Sequence, residues 1–179
     1  MKWKLLLNRL KYYKTRVRSS LQDCFVPHND KNMIQFKIKP FNELSTTELY
    51  EVLQLRSEVF VVEQNCVYQD IDGKDEKAIH VLGYYEGVLA AYSRLFKPND
   101  YFTDSSIGRV IVKESHRDKK LGHDLIRASI AAIKELFHEN IITISAQLYL
   151  QKFYEGHGFV TVGESYLEDD IPHIQMRKV

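Results

Sequence analysis

The sequence predicts a mixed α/β layer fold, and three observations carry that prediction. A chain of 179 residues has the length of one ordinary domain. With 44% hydrophobic and 27% charged residues, 8 Gly and 4 Pro, it has the composition of a packed globular protein, which excludes disordered, collagenous and low-complexity classes. Period-two and period-3.6 apolar runs alternate in the order β-α-β-β-β-α-β-α-β-β, without an internal repeat.

Residues 33–39 alternate apolar and polar side chains, as a strand with one buried face does. Ser45-Thr-Thr-Glu48 is a capping box, in which the first side chain accepts from the third helical N–H and the glutamate returns to the cap. Leu49, Val52, Leu53, Arg56, Val59 and Phe60 follow at helical spacing, so a helix runs from about residue 46 to 57 or beyond. Residues 65–78 carry six charged residues from Asp70 to Lys77 and read as an exposed loop. Residues 80–85 and 88–96 form a hairpin about Glu86-Gly87, and Pro98-Asn99-Asp100 ends it. The β-branched run 106–112 precedes a charged turn and a long helix marked by Leu121, Leu125, Ile126, Ser129, Ile130, Ile133, Leu136 and Phe137. A strand over 141–146, a short helix over 148–155 and strands over 159–162 and 173–177 complete the domain.

Charge divides the chain in two. Residues 1–32 hold eight basic and two acidic residues, a net +6, whereas the remainder holds 17 basic and 22 acidic residues, a net −5. We therefore read residues 1–32 as a basic N-terminal extension and residues 33–179 as the domain. Trp3, Leu6, Leu10, Tyr13 and Val17 fall near helical spacing, which suits a membrane surface; a dispensable appendage or a misassigned start accounts for the same residues. Nucleic acid is not expected as a partner, and a monomer or homodimer is. The apolar run Leu5-Leu6-Leu7 is shorter than the ~7 residues of a secretory signal. Two cysteines, Cys24 and Cys66, suit a reducing compartment, and the cytoplasm is the expected location. No metal-ligand spacing, Gly-x-Ser-x-Gly elbow or Walker loop occurs, so no metal is expected and hydrolase and NTPase readings fall away.

The informative segment is the turn from Val112 to Leu125. A helix start leaves N–H groups unpaired and its dipole favours an anion, so a strand–turn–helix with Arg117, Lys119, Lys120 and Gly122 suits a phosphate as well as it suits a solvated, lysine-rich turn. Here Arg117-Asp118-Lys119-Lys120-Leu121-Gly122 resembles the Arg/Gln-x-x-Gly-x-Gly/Ala loop of the GNAT superfamily of acetyl-CoA-dependent N-acyltransferases, with Lys120 in place of the first Gly. The segment from Gln147 to Phe159 resembles that superfamily's Asn-x-x-Ala-x-x-Phe-Tyr-x-x-x-Gly-Phe pattern, with Gln147 and Leu150 at the Asn and Ala positions. Residues 55–64, Asp70-Ile-Asp72, residues 108–112 and residues 168–174 together resemble its ElaA-like branch.

The resemblance covers about residues 33–179 and implies an α/β (α+β) fold. Its central sheet would be mostly antiparallel, with six or seven strands flanked by helices, and its fourth strand would splay from the fifth to bind CoA. Backbone groups of Val110, Ile111 and Val112 would pair with pantetheine, Arg117, Asp118, Lys119, Lys120, Leu121, Gly122 and His123 would hold the pyrophosphate, and Gln147 and Tyr154 would also contact acetyl-CoA. Tyr154, a phenol of pKa ~10, would protonate the departing thiolate. A lysine-like acceptor amine is neutral in about one molecule in 2,500 at pH 7, so a base is needed; Glu63, His80 and His173 are candidates. Arg56, Asp72 and His80 are candidates for holding a small-molecule or peptide amine. The expected reaction is direct acetyl transfer in a ternary complex, with Cys66 forming no acyl intermediate. The alternative is a non-catalytic CoA-binding sensor or interaction module whose basic head meets membrane or nucleic acid.

Overall fold

The computed structural model describes residues 33–179; the expectations for residues 1–32 lie outside the described residues. The strands are β1 (Gln35–Pro40), β2 (Ile79–Tyr85), β3 (Val88–Phe96), β4 (Ser105–Val112), β5 (Ile142–Gln147), β6 (Val160–Glu168) and β7 (Ile171–Lys178). They form a seven-stranded sheet in the order β1-β2-β3-β4-β5-β7-β6. All neighbours are antiparallel except β4 and β5. The α-helices are α1 (Thr46–Arg56), α2 (Leu121–Phe137) and α3 (Gln151–Glu155).

The sheet is buried on both faces because neighbouring residues of its central strands point to opposite sides. Val81, Ala91 and Leu95 share one cluster with Leu121, Leu125, Ile126 and Ile133 of α2. Leu82, Leu89, Tyr92 and Ile111 share the other with Val52 and Leu55 of α1 and with Val59. Fully burying side chains of this kind stabilises a fold by roughly 1.5–3 kcal/mol each, which is why the β2–β3 hairpin reads as near-continuous apolar sequence.

α1 starts at the expected capping box. Ser45 Oγ accepts from Glu48 N–H at 3.1 Å, and Glu48 accepts from Ser45 N–H at 2.9 Å. Glu48 also takes Lys37 at 3.2 Å and Lys39 at 2.8 Å, which ties α1 to β1. The α-helix stops at Arg56 rather than continuing, and Ser57–Glu63 form a π-helical segment. This wider turn keeps Val59 in the core while delivering Phe60, Glu63 and Gln64 to a cleft on the sheet.

The loop after it is not the exposed loop its composition suggests. Asp70 and Asp75 are buried because three arginines draw them in. Arg56 donates to Asp70 and to Asp75, each at 2.7 Å; Arg94 donates to Asp75 at 2.9 Å and to Asp72; Arg109 donates to Asp70 at 2.6 Å. Three charges of each sign cancel, so the loop packs despite its polarity. Smaller differences lie downstream. The charged turn holds a 3-10 segment, Glu114–Lys119, the short helix begins as a 3-10 turn, Leu148–Leu150, and β6 runs to Glu168.

Candidate functional site

The sheet opens between β4 and β5. These strands pair only at Ser105 with Ile142 and at Ser106 with Thr143. Beyond that vertex β4 stays paired with β3 and β5 with β7, so their facing edges from Ile107 onward carry unpaired backbone. A bulge in β4 drives them apart: Ser93 of β3 faces both Arg109 and Val110, and Arg109 takes φ +50°, the left-handed conformation. An extra residue of this kind bends its strand and increases the local twist.

The opening is a cleft of about 560 Å³. Val110, Ile111 and Val112 line one wall and Ser145, Ala146 and Gln147 the other, while Gln147 donates to Gln64 at 3.1 Å. Arg117, Lys120, Gly122 and His123 line it at the C-terminal end of β4. Lys120 caps α2 with φ +59°, and Leu121 and Gly122 stand in the first helical turn, where no preceding carbonyl takes their N–H groups. A Cβ placed on Gly122 would meet Phe153 at 3.5 Å and Val112 at 3.7 Å, ordinary contacts, so nothing in the polypeptide demands glycine there. Arg117 donates to Glu63 and, at 3.1 Å, to the Val112 carbonyl.

Titratable side chains meet the cleft from several elements. Tyr154 on α3 is 5% exposed and packs edge-on against Phe153 and Phe159. Burial, with Tyr149 nearby, pushes its phenol above the ordinary value, so it stays protonated at neutral pH. Its hydroxyl makes no hydrogen bond to another described residue. His173 on β7 donates from Nδ1 to the Ile171 carbonyl at 2.8 Å, which leaves the Nε2 lone pair available in the neutral ring. Near the vertex lie Arg94, Phe96, Tyr101, Arg109 and Glu168.

A family model described as an acetyltransferase (GNAT) domain matches residues 43–179. The chain belongs to the GNAT acetyltransferase family. Protein ElaA of Escherichia coli is 43% identical over 148 residues, which cover 82% of this chain and 97% of that protein. The crystal structure of E. coli ElaA superposes with a TM-score of 0.77 at 42% identity, covering 82% of this chain and all of that one. A Pseudomonas aeruginosa acyl-CoA N-acyltransferase is 43% identical with a TM-score of 0.76, covering 81% of this chain and 99% of that one. The protein is thus an ElaA-like GNAT acyltransferase.

Of the residues singled out by sequence, the GNAT cleft gathers Glu63, Val110, Ile111, Val112, Arg117, Lys120, Gly122, His123, Gln147, Tyr154 and His173. Asp118 and Lys119 are exposed on the loop outside its lining, and the Leu121 side chain is core. Arg56, Asp72 and His80 do not line the cleft. Arg56 is fully buried between Asp70 and Asp75. His80 is fully buried too, its ring nitrogens meeting Tyr92 Oη at 2.8 Å and the Asp75 carbonyl at 3.0 Å. Burial holds its pKa below the ordinary value. Asp72 lies behind Arg94 and Arg109; burial raises its carboxyl, but the hydrogen bond and charge of Arg94 outweigh this and hold it far below the usual range. These three residues therefore brace the vertex from behind.

Sequence reasoning gave no role to Arg94, Tyr101, Arg109, Ser145 or Glu168, all of which line the cleft. Arg109 and Glu168 fall within segments resembling the ElaA-like branch, which was a usable signal. Arg94, Tyr101 and Ser145 carried none, because only the bulge and the sheet order bring them together.

Proposed function

We propose that this GNAT protein transfers an acetyl group from acetyl-CoA directly to a primary amine within a ternary complex. The observation that carries the reading is the splay of β4 from β5, with a protonated Tyr154 and an uncommitted His173 Nε2 lining one cleft. Acetyl-CoA as donor supplies the thioester carbon that the amine attacks. The open edge of β4 over Val110 to Val112 offers N–H and C=O groups to an extended arm of amide character, and one of those N–H groups polarises the thioester carbonyl. The free N–H groups of Leu121 and Gly122, the α2 dipole and the cations of Arg117, Lys119 and Lys120 suit a pyrophosphate; the Lys120 and His123 N–H groups already donate to the Arg117 and Lys120 carbonyls. Gly122 keeps side-chain bulk from between that anion and the helix.

His173 Nε2 first takes a proton from the acceptor ammonium, directly or through water; the neutral amine then attacks the thioester carbon, and as the C–S bond breaks the adduct nitrogen releases its second proton to water. Tyr154 gives its proton to the departing thiolate. Glu63 is tied to Arg117 and His80 is buried, so His173 is the base these contacts favour. Among the described residues no cysteine lines the cleft, which supports direct transfer over an acyl-cysteine route.

Mixing the pure protein with acetyl-CoA and a broad amine panel is expected to release free thiol. Calorimetry with CoA is expected to show tight binding that Gly122→Val abolishes. Thiol release from no amine, despite CoA binding, rules out the transferase reading; unchanged CoA affinity in a folded Gly122→Val protein removes the loop from the site.

A further inference from the structure

The vertex end of the cleft carries an electrostatic selection that the reaction above does not require. Arg94 and Arg109 line it, but their charges are already met: with Arg56 they form three cations against Asp70, Asp72 and Asp75. Arg94 still has a buried Nε–H without a partner. Two carboxylates already neutralise its guanidinium, so a neutral oxygen satisfies that N–H as well as a charged one.

Glu168 differs. It lines the same cleft, half-buried, and forms no ion pair with a described residue. Among the described residues its carboxylate takes one hydrogen bond, from Ser145 Oγ at 2.8 Å, and the direction of that bond is forced because a carboxylate only accepts. Ser145 has a single proton and spends it on Glu168, so Tyr166 must donate to Ser145, at 2.6 Å. The chain Tyr166→Ser145→Glu168 ends on the carboxylate and fixes its side chain while one oxygen, Oε1, remains without a donor. Ser145 lies two residues past the last β4–β5 pair, level with Gly108, and the ring of His173 stacks on Tyr166 with centroids 6.3 Å apart. The uncompensated negative charge therefore stands beside the histidine that would take the proton. Glu63, the other glutamate of the cleft, is already neutralised by Arg117.

Resting on the transferase reading, we infer that Glu168 holds the acceptor as its ammonium ion, and that the site selects cationic amines bearing no carboxylate next to the amino group. With the three arginines neutralised by three aspartates, and Lys120 at the other end of the cleft with the pyrophosphate loop, a carboxylate on the acceptor would meet Glu168 with no spare cation at the vertex to balance it. Phe60, Phe96, Tyr101 and Phe102 line the cleft and suit an apolar or aromatic body on that amine.

The test is calorimetry on the full chain preloaded with CoA. The probes are two matched pairs, 2-phenylethylamine against phenylalanine and 1,4-diaminobutane against ornithine, each on wild type and on Glu168→Gln. At least one amine is expected to bind about 10-fold or more tightly than its amino-acid counterpart, and Glu168→Gln should weaken that amine by about 10-fold or more while CoA affinity and circular dichroism stay as in wild type. Equal binding of amine and amino acid in both pairs, no binding of either amine, or an unchanged amine affinity in Glu168→Gln each overturns the inference and leaves the CoA reading intact. A Glu168→Gln protein that loses CoA binding or its fold overturns it in favour of a structural role. Failure of wild type to bind CoA overturns the transferase reading, and this inference with it.

Discussion

Lys120 and Tyr154 show how much chemistry a single backbone or side-chain choice controls. Lys120 holds φ +59° at the start of α2, a conformation in which an L side chain costs roughly 1–2 kcal/mol and glycine almost nothing. Lys120→Gly is therefore expected to stabilise the protein by about 1 kcal/mol after glycine's greater chain entropy is counted, seen as a higher melting temperature. A lower one would mean that the lysine side chain makes contacts that matter more than the strain. Tyr154 sits in aromatic packing with its hydroxyl uncommitted. Tyr154→Phe keeps the rings and removes only the proton donor, so kcat is expected to fall about 10²-fold with acetyl-CoA affinity nearly constant. Normal turnover in that variant would assign thiolate protonation to water.

At the scale of elements, α1 is pinned to β1 by one carboxylate. Burial raises the Glu48 pKa, but Lys39, the Ser45 N–H and Lys37 together outweigh it and lower it from 4.5 to about 2. A carboxyl depressed in the folded state stabilises fully above its unfolded pKa, and that stabilisation drains away as pH falls from about 4.5 through about 2. Glu48→Gln should therefore melt well below wild type at pH 7, with the gap narrowing steadily between pH 5 and pH 2. A gap that stays constant with pH would make packing, not charge, the role of Glu48. The β4 bulge is the other decisive element, because it opens the sheet and turns Arg109 toward Asp70.

At the scale of the whole molecule, the described residues by themselves build two clusters of buried side chains, which span Ile34 to Met176. The family match begins at residue 43. We propose that a chain starting at Met33 folds and binds CoA as the full chain does, with equal melting temperature and equal calorimetric affinity. Aggregation or a much lower melting temperature would place part of residues 1–32 in the fold. No described helix is long and apolar enough to cross a membrane.

Element order, the capping box at Ser45 and Glu48, and the strand–turn–helix around Gly122 were legible in the sequence, because each rests on local periodicity or on contacts a few residues apart. The resemblance of Arg117–Gly122 and Gln147–Phe159 to the superfamily pointed to the cofactor side of the cleft for the same reason: those segments are contiguous. Tertiary structure alone decided the acceptor side. Residues 70–77 read as a solvated loop until Arg56, Arg94 and Arg109, from three separate elements, neutralise their aspartates. Arg56 and His80 read as ligands for a substrate until burial and partners account for them. Ser145 and Glu168, 23 residues apart, meet only because β7 lies between β5 and β6 and orders them on one side of the splay. Charge compensation and strand order are sums over distant residues, so no local window of sequence contains them.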